Sequence, residues 1–289
     1  FAEAGDEAKH EGGTYWSTHN KVYYWPDAGY NLAFAAYSPA VLGDASSATT
    51  ITRNDAGFQI NDFVSEPISD DQYDLMYSHT VYDRNKSNNA ASAVSLKFEH
   101  ALSSIVFSSQ KSDAAVDYQI TDLRVEGDFH VDGNFSQGIT STTNGAGDYT
   151  ETENPAWDLQ GRTTTRVNYE PTCTAFNVPD ASPEIFTQGT SAILAIPQKV
   201  PTDAKVHVTY QKTTNVGLTT ETTTTHTAEI FLKDFKKAAA VGVVAEGIDT
   251  WERGKRYVYR IAFGENQRIY FEPSITDWVQ EPTLIYTIK

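Results

Sequence analysis

Disulfide bonding within this chain is excluded, because Cys173 is its only cysteine. A lone cysteine among strand-forming residues reads as a small buried hydrophobe, and no general base lies near it in sequence. No stretch reaches the roughly 18 consecutive apolar residues that a membrane-spanning helix needs. Positive charge is also scarce. Lys and Arg number 22 against 38 Asp and Glu, for a formal charge of −16, and no basic cluster interrupts the excess. Such a field repels phosphate backbones and anionic headgroups, so nucleic acid is not an expected partner. The chain opens at Phe1 rather than at methionine. It is expected to have been processed or cut, with any targeting signal in the missing part.

What is present is strand-forming sequence. Hydrophobic residues make up 39% and aromatics 12% of the 289 residues, enough for sizeable cores. In VSLKFEHAL, Val94, Leu96, Phe98, His100 and Leu102 share one face while Ser95, Lys97 and Glu99 share the other, the period of a half-buried strand. The following SSIVF carries Ile105 and Phe107 inward, so the phase shifts by one and a turn or bulge is expected near Ser103–Ser104. KRYVYRIAF aligns Tyr257, Tyr259, Ile261 and Phe263, and KVHVTY aligns Val206, Val208 and Tyr210. SAILAIPQ (191–198) is apolar on both faces, as in a strand covered on both sides. Further strands are expected at 21–25, 31–37, 73–77, 118–126 and 267–272. The threonine run TTETTTTHT (219–227) suits an extended, half-exposed strand. Only KDFKKAAAV (233–241) suggests a helix. Many short strands with turn signals between them indicate β-sandwich architecture.

The length allows two ordinary domains. The polar, aperiodic DRNKSNNAAS (83–92) places the boundary, giving domains at 1–90 and 91–289. TSTTNGAGD (140–148) reads as a long connection inside the larger domain.

Motifs that carry chemistry are wanting. There is no phosphate loop, dinucleotide fingerprint, nucleophile elbow or HExxH helix, and no evident carboxyl pair for glycoside hydrolysis. SDDQYD (69–74) reads as solvated turn carboxylates. In DFHVDGN (128–134), Asp128, His130 and Asp132 would share a strand face and are the best metal candidates. However, Asp132-Gly133 is a favoured hairpin pair that would take Asp132 out of the strand. His100, on an apolar strand face, reads as a buried, hydrogen-bonded neutral histidine. Trp16, Tyr23, Tyr24, Trp25, Tyr30 and Tyr37 crowd the start of the chain. Period two splits them between core and a surface that a glycan could stack on. No catalytic residue, cofactor or metal is assigned, and the chain is not read as an enzyme.

Four stretches in order, VYYWPDAGYNLAFAAYSP (22–39), VSLKFEHALSSIVF (94–107), WERGKRYVYRIAF (251–263) and IYFEPSITDW (269–278), make the chain resemble the Bacteroidales fimbrillins, type V pilins and related surface adhesin subunits. The resemblance covers most of the chain. It implies two tandem transthyretin-like Greek-key β-sandwich domains. It also implies export as a lipoprotein to the outer membrane, and proteolytic removal of an N-terminal strand, often after an arginine. A C-terminal strand of a neighbouring subunit then fills the groove left in the first domain. Two features depart from that pattern: no lipid-carrying cysteine is seen, and the first arginine is Arg53.

On this resemblance the segment TLIYTIK is a candidate donor strand. Leu284, Tyr286 and Ile288 would face an acceptor core, with Ile285 and Thr287 on the opposite face. Burial of the first three, at about 1.5–3 kcal/mol each, gives roughly 5–9 kcal/mol before entropy costs. The same segment also reads as the last strand of its own domain. An acceptor groove is expected among 21–25, 31–37 and 73–77. Expected partners are copies of this chain or related pilin subunits, with host or bacterial surface ligands as a second class. The membrane is met only through a lipid anchor on the precursor, and the location is the cell surface and outer membrane, in a fimbria. The alternative is a non-polymerising surface lipoprotein that binds glycan or a host ligand.

Overall fold

The computed structural model describes residues 7–10, 16–18, 24–25, 30–40, 42, 49–54, 57–85, 87, 94–143, 149–180, 182–187, 191–235, 247–264 and 270–278. The protein is all-β. Among the described residues its strands are joined by loops and turns, including the 3-10 turns Ser69–Asp71 and Leu232–Asp234. Of the expected helix at 233–241, the structure gives the Leu232–Asp234 turn, after which the Phe235 side chain is fully buried. Residues 236–241 lie outside the described residues.

Two compact units emerge. One comprises Phe1–Val64, Asp74–Ala101 and Gly133–Gln160, the other Ser65–Tyr73, Leu102–Asp132 and Gly161–Lys289. This partition differs from a single division at residue 90, because strand pairing rather than loop polarity determines which unit a segment joins. VSLKFEHAL shows why. Only Phe98–His100 forms a strand, paired with Met76–Ser78 in the first unit. The chain bends at Ala101 and Leu102, both fully buried, and Ser103–Lys111 then belongs to a sheet of the second unit. The phase shift expected near Ser103–Ser104 thus falls at this bend and marks a change of sheet.

The second unit is a sandwich. One sheet runs Glu184–Ile185, Ser103–Lys111, Lys255–Phe263, Tyr270–Asp277, with Ile193–Ala195 also against Ser103–Lys111. The other runs Thr165–Tyr169, Asp117–Phe129, Lys205–Thr214, Thr222–Phe231, with Phe176–Asn177 also against Asp117–Phe129. Ser103–Lys111 and Lys255–Phe263 pair in parallel; the other sheet neighbours pair antiparallel. The alternation read from KRYVYRIAF is realised: Tyr257, Tyr259, Ile261 and Phe263 are buried at every second position. Facing them are Ile120, Leu123, Val125, Phe129, Val206 and Val208 of the other sheet, all in one core cluster. Both Ile120 and Leu123 point inward because a bulge between Ile120 and Asp122 shifts the register. Rings close the core, with Tyr118 stacked on Phe263 at 4.7 Å and Phe129 on Trp251 at 5.3 Å. Ile193, Leu194 and Ala195 are all buried, as a run apolar on both faces requires.

Segment 65–73 straps one side of this sandwich. Ile68 bridges Glu170 in parallel, the Ser69 amide donates to Glu170 O and the Glu170 amide to Pro67 O. Further out on either side, Ser65 Oγ donates to Leu194 O and the Leu194 amide donates to Gln72 Oε1 at 2.6 Å. Glu170 follows the end strand of one sheet and Leu194 lies in a flanking strand of the other, so one short segment satisfies backbone groups of both.

The first unit holds a four-stranded sheet, Ala156–Asp158, Asp132–Ser136, Gly57–Val64, Thr50–Asn54, and a three-stranded one, Tyr37–Ser38, Met76–Ser78, Phe98–His100. Its core is aromatic, with Tyr77, Phe58 and Trp157 around Phe135 at 5.0, 6.4 and 5.4 Å. The hairpin expected at Asp132-Gly133 does not form. Asp132–Ser136 instead pairs with Ala156–Asp158. A side chain at Gly133 would come within 2.8 Å of Leu159 Cδ2, so glycine serves close packing there rather than a turn.

In the second unit's core the Trp251 indole N–H donates to the Tyr259 hydroxyl at 3.0 Å, with both side chains essentially inaccessible to water. Tyr259→Phe leaves that N–H buried without its acceptor and is expected to cost about 1–3 kcal/mol in a denaturant melt. A loss below about 0.5 kcal/mol would show that the bond contributes little.

Candidate functional site

Assembly by strand addition needs sheet edges whose backbone groups are unpaired. Among the described residues the second unit's sheets end in Glu184–Ile185 and Tyr270–Asp277, and in Thr165–Tyr169 and Thr222–Phe231; the longer end strands are Tyr270–Asp277 and Thr222–Phe231. Tyr270–Asp277 pairs with Lys255–Phe263 over eight consecutive positions, from Lys255↔Asp277 to Ala262↔Tyr270. Immediately after it, the Trp278 amide donates to Gly254 O at 2.8 Å, fixing the point where residues 279–289 begin. Leu284, Ile285, Tyr286 and Ile288 lie outside the described residues.

Of the strands expected to frame an acceptor in the first unit, 31–37 becomes Leu32–Phe34 and Tyr37–Ser38, and 73–77 becomes Met76–Ser78. Leu32–Phe34 pairs with Val81–Arg84, and Tyr37–Ser38 covers Met76–Ser78 at only two positions. Residues 21–23 lie outside the described residues, and Tyr24 and Trp25 are not in a strand. Tyr24 and Tyr30 are strongly exposed, while Trp25 packs edge-on to Phe34 and Tyr37 packs on Phe58. The early aromatics are therefore divided between core and surface.

The structure does not gather Asp128, His130 and Asp132 into a metal cage. Asp128 Oδ1 is 3.5 Å from Arg166 Nη1, and Asp132 Oδ2 accepts from Arg162 Nη1 at 2.6 Å. The His130 backbone is held at both its N–H and C=O by the Gln198 side chain. Among the described residues no group of three His, Cys, Asp or Glu side chains is arranged to hold a metal ion. In SDDQYD, Asp70 accepts from Thr172 Oγ1 and Gln72 belongs to the strap, so this stretch is more tied down than a solvated turn. His100 is buried with Nδ1 2.9 Å from Asp74 Oδ1. Cys173 is half-buried, and burial, reinforced by the Asp122 carboxylate, pushes its thiol up to about 11. That suppresses thiolate chemistry at neutral pH.

Two charged arrangements went unread in the sequence because they join residues far apart in it. In the first unit Glu153 accepts from the Thr80 amide at 2.7 Å and from Gln137 Nε2 at 3.2 Å. His79 Nδ1 lies 2.6 Å from Glu153 Oε2, and its Nε2 lies 3.3 Å from Glu99 Oε1. On the outer face of the second unit, Arg166 reaches Glu126 at 2.5 Å and also contacts Asp203, while His207 Nε2 sits 2.9 Å from Glu126 Oε2. The Arg166 guanidinium, hydrogen-bonded to it, holds the Glu126 carboxyl below its ordinary 4.5.

Comparison with known proteins places this architecture. A family model described as fimbrillin-like matches residues 3–278. A fimbrial protein from Bacteroides vulgatus has a similar structure, with TM-score 0.60 and 20% identity over 95% of this chain and 85% of the other. A protein assigned to cell adhesion from Bacteroides uniformis is similar at TM-score 0.51 and 14% identity, over 91% of this chain and 80% of the other. No curated protein matches the chain.

Because Arg166 depresses Glu126, their pairing stabilises the fold above the ordinary carboxylate range and is lost as pH falls through the lowered value. In Arg166→Ala the Glu126 carboxyl is expected to move up toward 4.5 in an NMR titration. The stability gap between wild type and variant should be present at neutral pH and shrink in acid. An unchanged Glu126 titration would contradict the assignment.

Proposed function

The chain belongs to the fimbrillin-like family, and from that premise we propose that it is a structural subunit of a bacterial cell-surface fimbria whose copies join by strand exchange. The supporting observation is the way the described chain ends. Tyr270–Asp277 is an edge strand, Trp278 is hydrogen-bonded at its exit, and the apolar alternation of 284–288 follows only a few residues later.

A donated strand satisfies the backbone groups of an incomplete sheet while alternate side chains fill its apolar trough. Leu284, Tyr286 and Ile288 are the inward set, and the acceptor is the first unit, among the strands that include Leu32–Phe34, Tyr37–Ser38 and Met76–Ser78. The subunit reaches the outer membrane through a lipid anchor on its precursor, and its partners are copies of itself or related subunits. The charge of −16 keeps unassembled subunits apart. A second reading, a surface protein that binds glycan, draws on the exposed rings of Tyr24 and Tyr30. A glycan array probes it, and absence of binding counts against it.

Deleting residues 282–289 should leave the subunit folded by circular dichroism yet unable to form heat- and detergent-resistant ladders after processing. Ladders that persist in the deletion, or that never form in the parent, would overturn the strand-exchange reading.

A further inference from the structure

The two longer end strands of the second unit, neither with a further partner strand among the described residues, are not alike. Tyr270–Asp277 carries Pro273, whose missing N–H blunts a sheet edge. Thr222–Phe231 has no such guard. It contains no proline and no lysine, and it pairs with Lys205–Thr214 over ten positions, from Lys205↔Phe231 to Thr214↔Thr222, without a register shift. Natural proteins normally break a long, flat edge with one of these devices. Thr222–Thr225 are exposed on both faces of the ribbon, and no strand among the described residues pairs with the far side.

The ribbon is also an electrically neutral window in an acidic protein. From Thr209 to Thr227 the only charges are Lys212 (+1) and Glu221 (−1), which sum to zero, in a chain of −16. Two copies repel each other over most of their surface but not here. The turn that caps the ribbon is ordered by its own hydrogen bonds. Asn215 Nδ2 donates to Thr220 O, the Gly217 amide to Glu221 Oε2 and the Leu218 amide to Asn215 O.

We propose that Thr222–Thr227 is a self-pairing edge, through which a second copy of this chain adds antiparallel about a two-fold axis at Thr224. In that register Thr224 faces Thr224, Thr223 faces Thr225, Thr222 faces His226 and Glu221 faces Thr227, so no like charges oppose. Moving the axis to Thr225 would set Glu221 against Glu229, which opposes two carboxylates and is disfavoured. Threonine's branched side chain suits the added ladder on both sides. So short a ladder buries less than the ~1,200 Å² typical of stable pairs, so the contact is weak and reversible. The contact does not depend on strand exchange.

Sedimentation analysis of the full chain across a concentration series tests this, with T224K, T224E and their equimolar mixture. Wild type should dimerise reversibly on concentration, more strongly as added salt screens the net charge. Each single variant should stay monomeric yet folded by circular dichroism, with T224K melting somewhat below T224E because Lys212 is the cross-strand partner of position 224, and the mixture should regain the dimer as lysine faces glutamate. A wild type that is monomeric throughout, variants that associate equally well, or a mixture that stays monomeric would each overturn the proposal. Detergent abolishes this association but not strand-exchanged ladders, so the two contacts fail separately.

Discussion

Every sheet ends in a row of backbone N–H and C=O groups, and where those groups go is the constraint on which this protein turns. At one side of the second unit they are satisfied internally. The 65–73 strap bonds Glu170 beside one sheet and Leu194 in the other, using backbone groups and the Ser65 and Gln72 side chains. At the other ends of the same sheets, Tyr270–Asp277 and Thr222–Phe231 have no described partner. Long end strands with no further partner strand among the described residues suit completion by a neighbour.

The rigidity of the second unit comes from the core between its sheets. Aromatic side chains dominate it: Tyr118 and Phe263 stack across the sandwich, Phe129 stacks on Trp251, and Tyr259 lies 5.0 Å from Phe235. Such rings bury large apolar areas in few rotamers, so sheet positions are well defined. Edge strands held on so firm a base present their free groups in a fixed geometry, which favours specific addition over disordered sticking. The acidic surface adds selectivity, because approach is penalised except where charge is low.

Much of the fold was legible in the sequence because period two survives burial on one face. KRYVYRIAF and KVHVTY keep their inward residues as read, and SAILAIPQ is covered on both sides. What was not legible depended on distant pairing. VSLKFEHAL looks continuous, yet Ala101 and Leu102 turn the chain from one sheet to another. Asp132-Gly133 carries a turn signature, but packing against Leu159 and Trp157 uses the glycine differently. Gln72 and Leu194 are too far apart in sequence for any local pattern to join them. The threonine run announced a strand, while its place at the end of a sheet among the described residues emerged only from the sheet order. The apolar pattern of 284–288 was visible at once, but a pattern names a face and not the sheet it enters.

The central claim is that residues 284–288 complete a sheet belonging to another subunit. A cryo-electron microscopy reconstruction of the assembled fibre, resolved well enough to trace the main chain, tests it directly. The account predicts continuous density from Trp278 into a sheet of the adjacent subunit's first unit, with Leu284, Tyr286 and Ile288 facing its core. Density that folds these residues back onto their own sandwich, while subunits meet elsewhere, would contradict it.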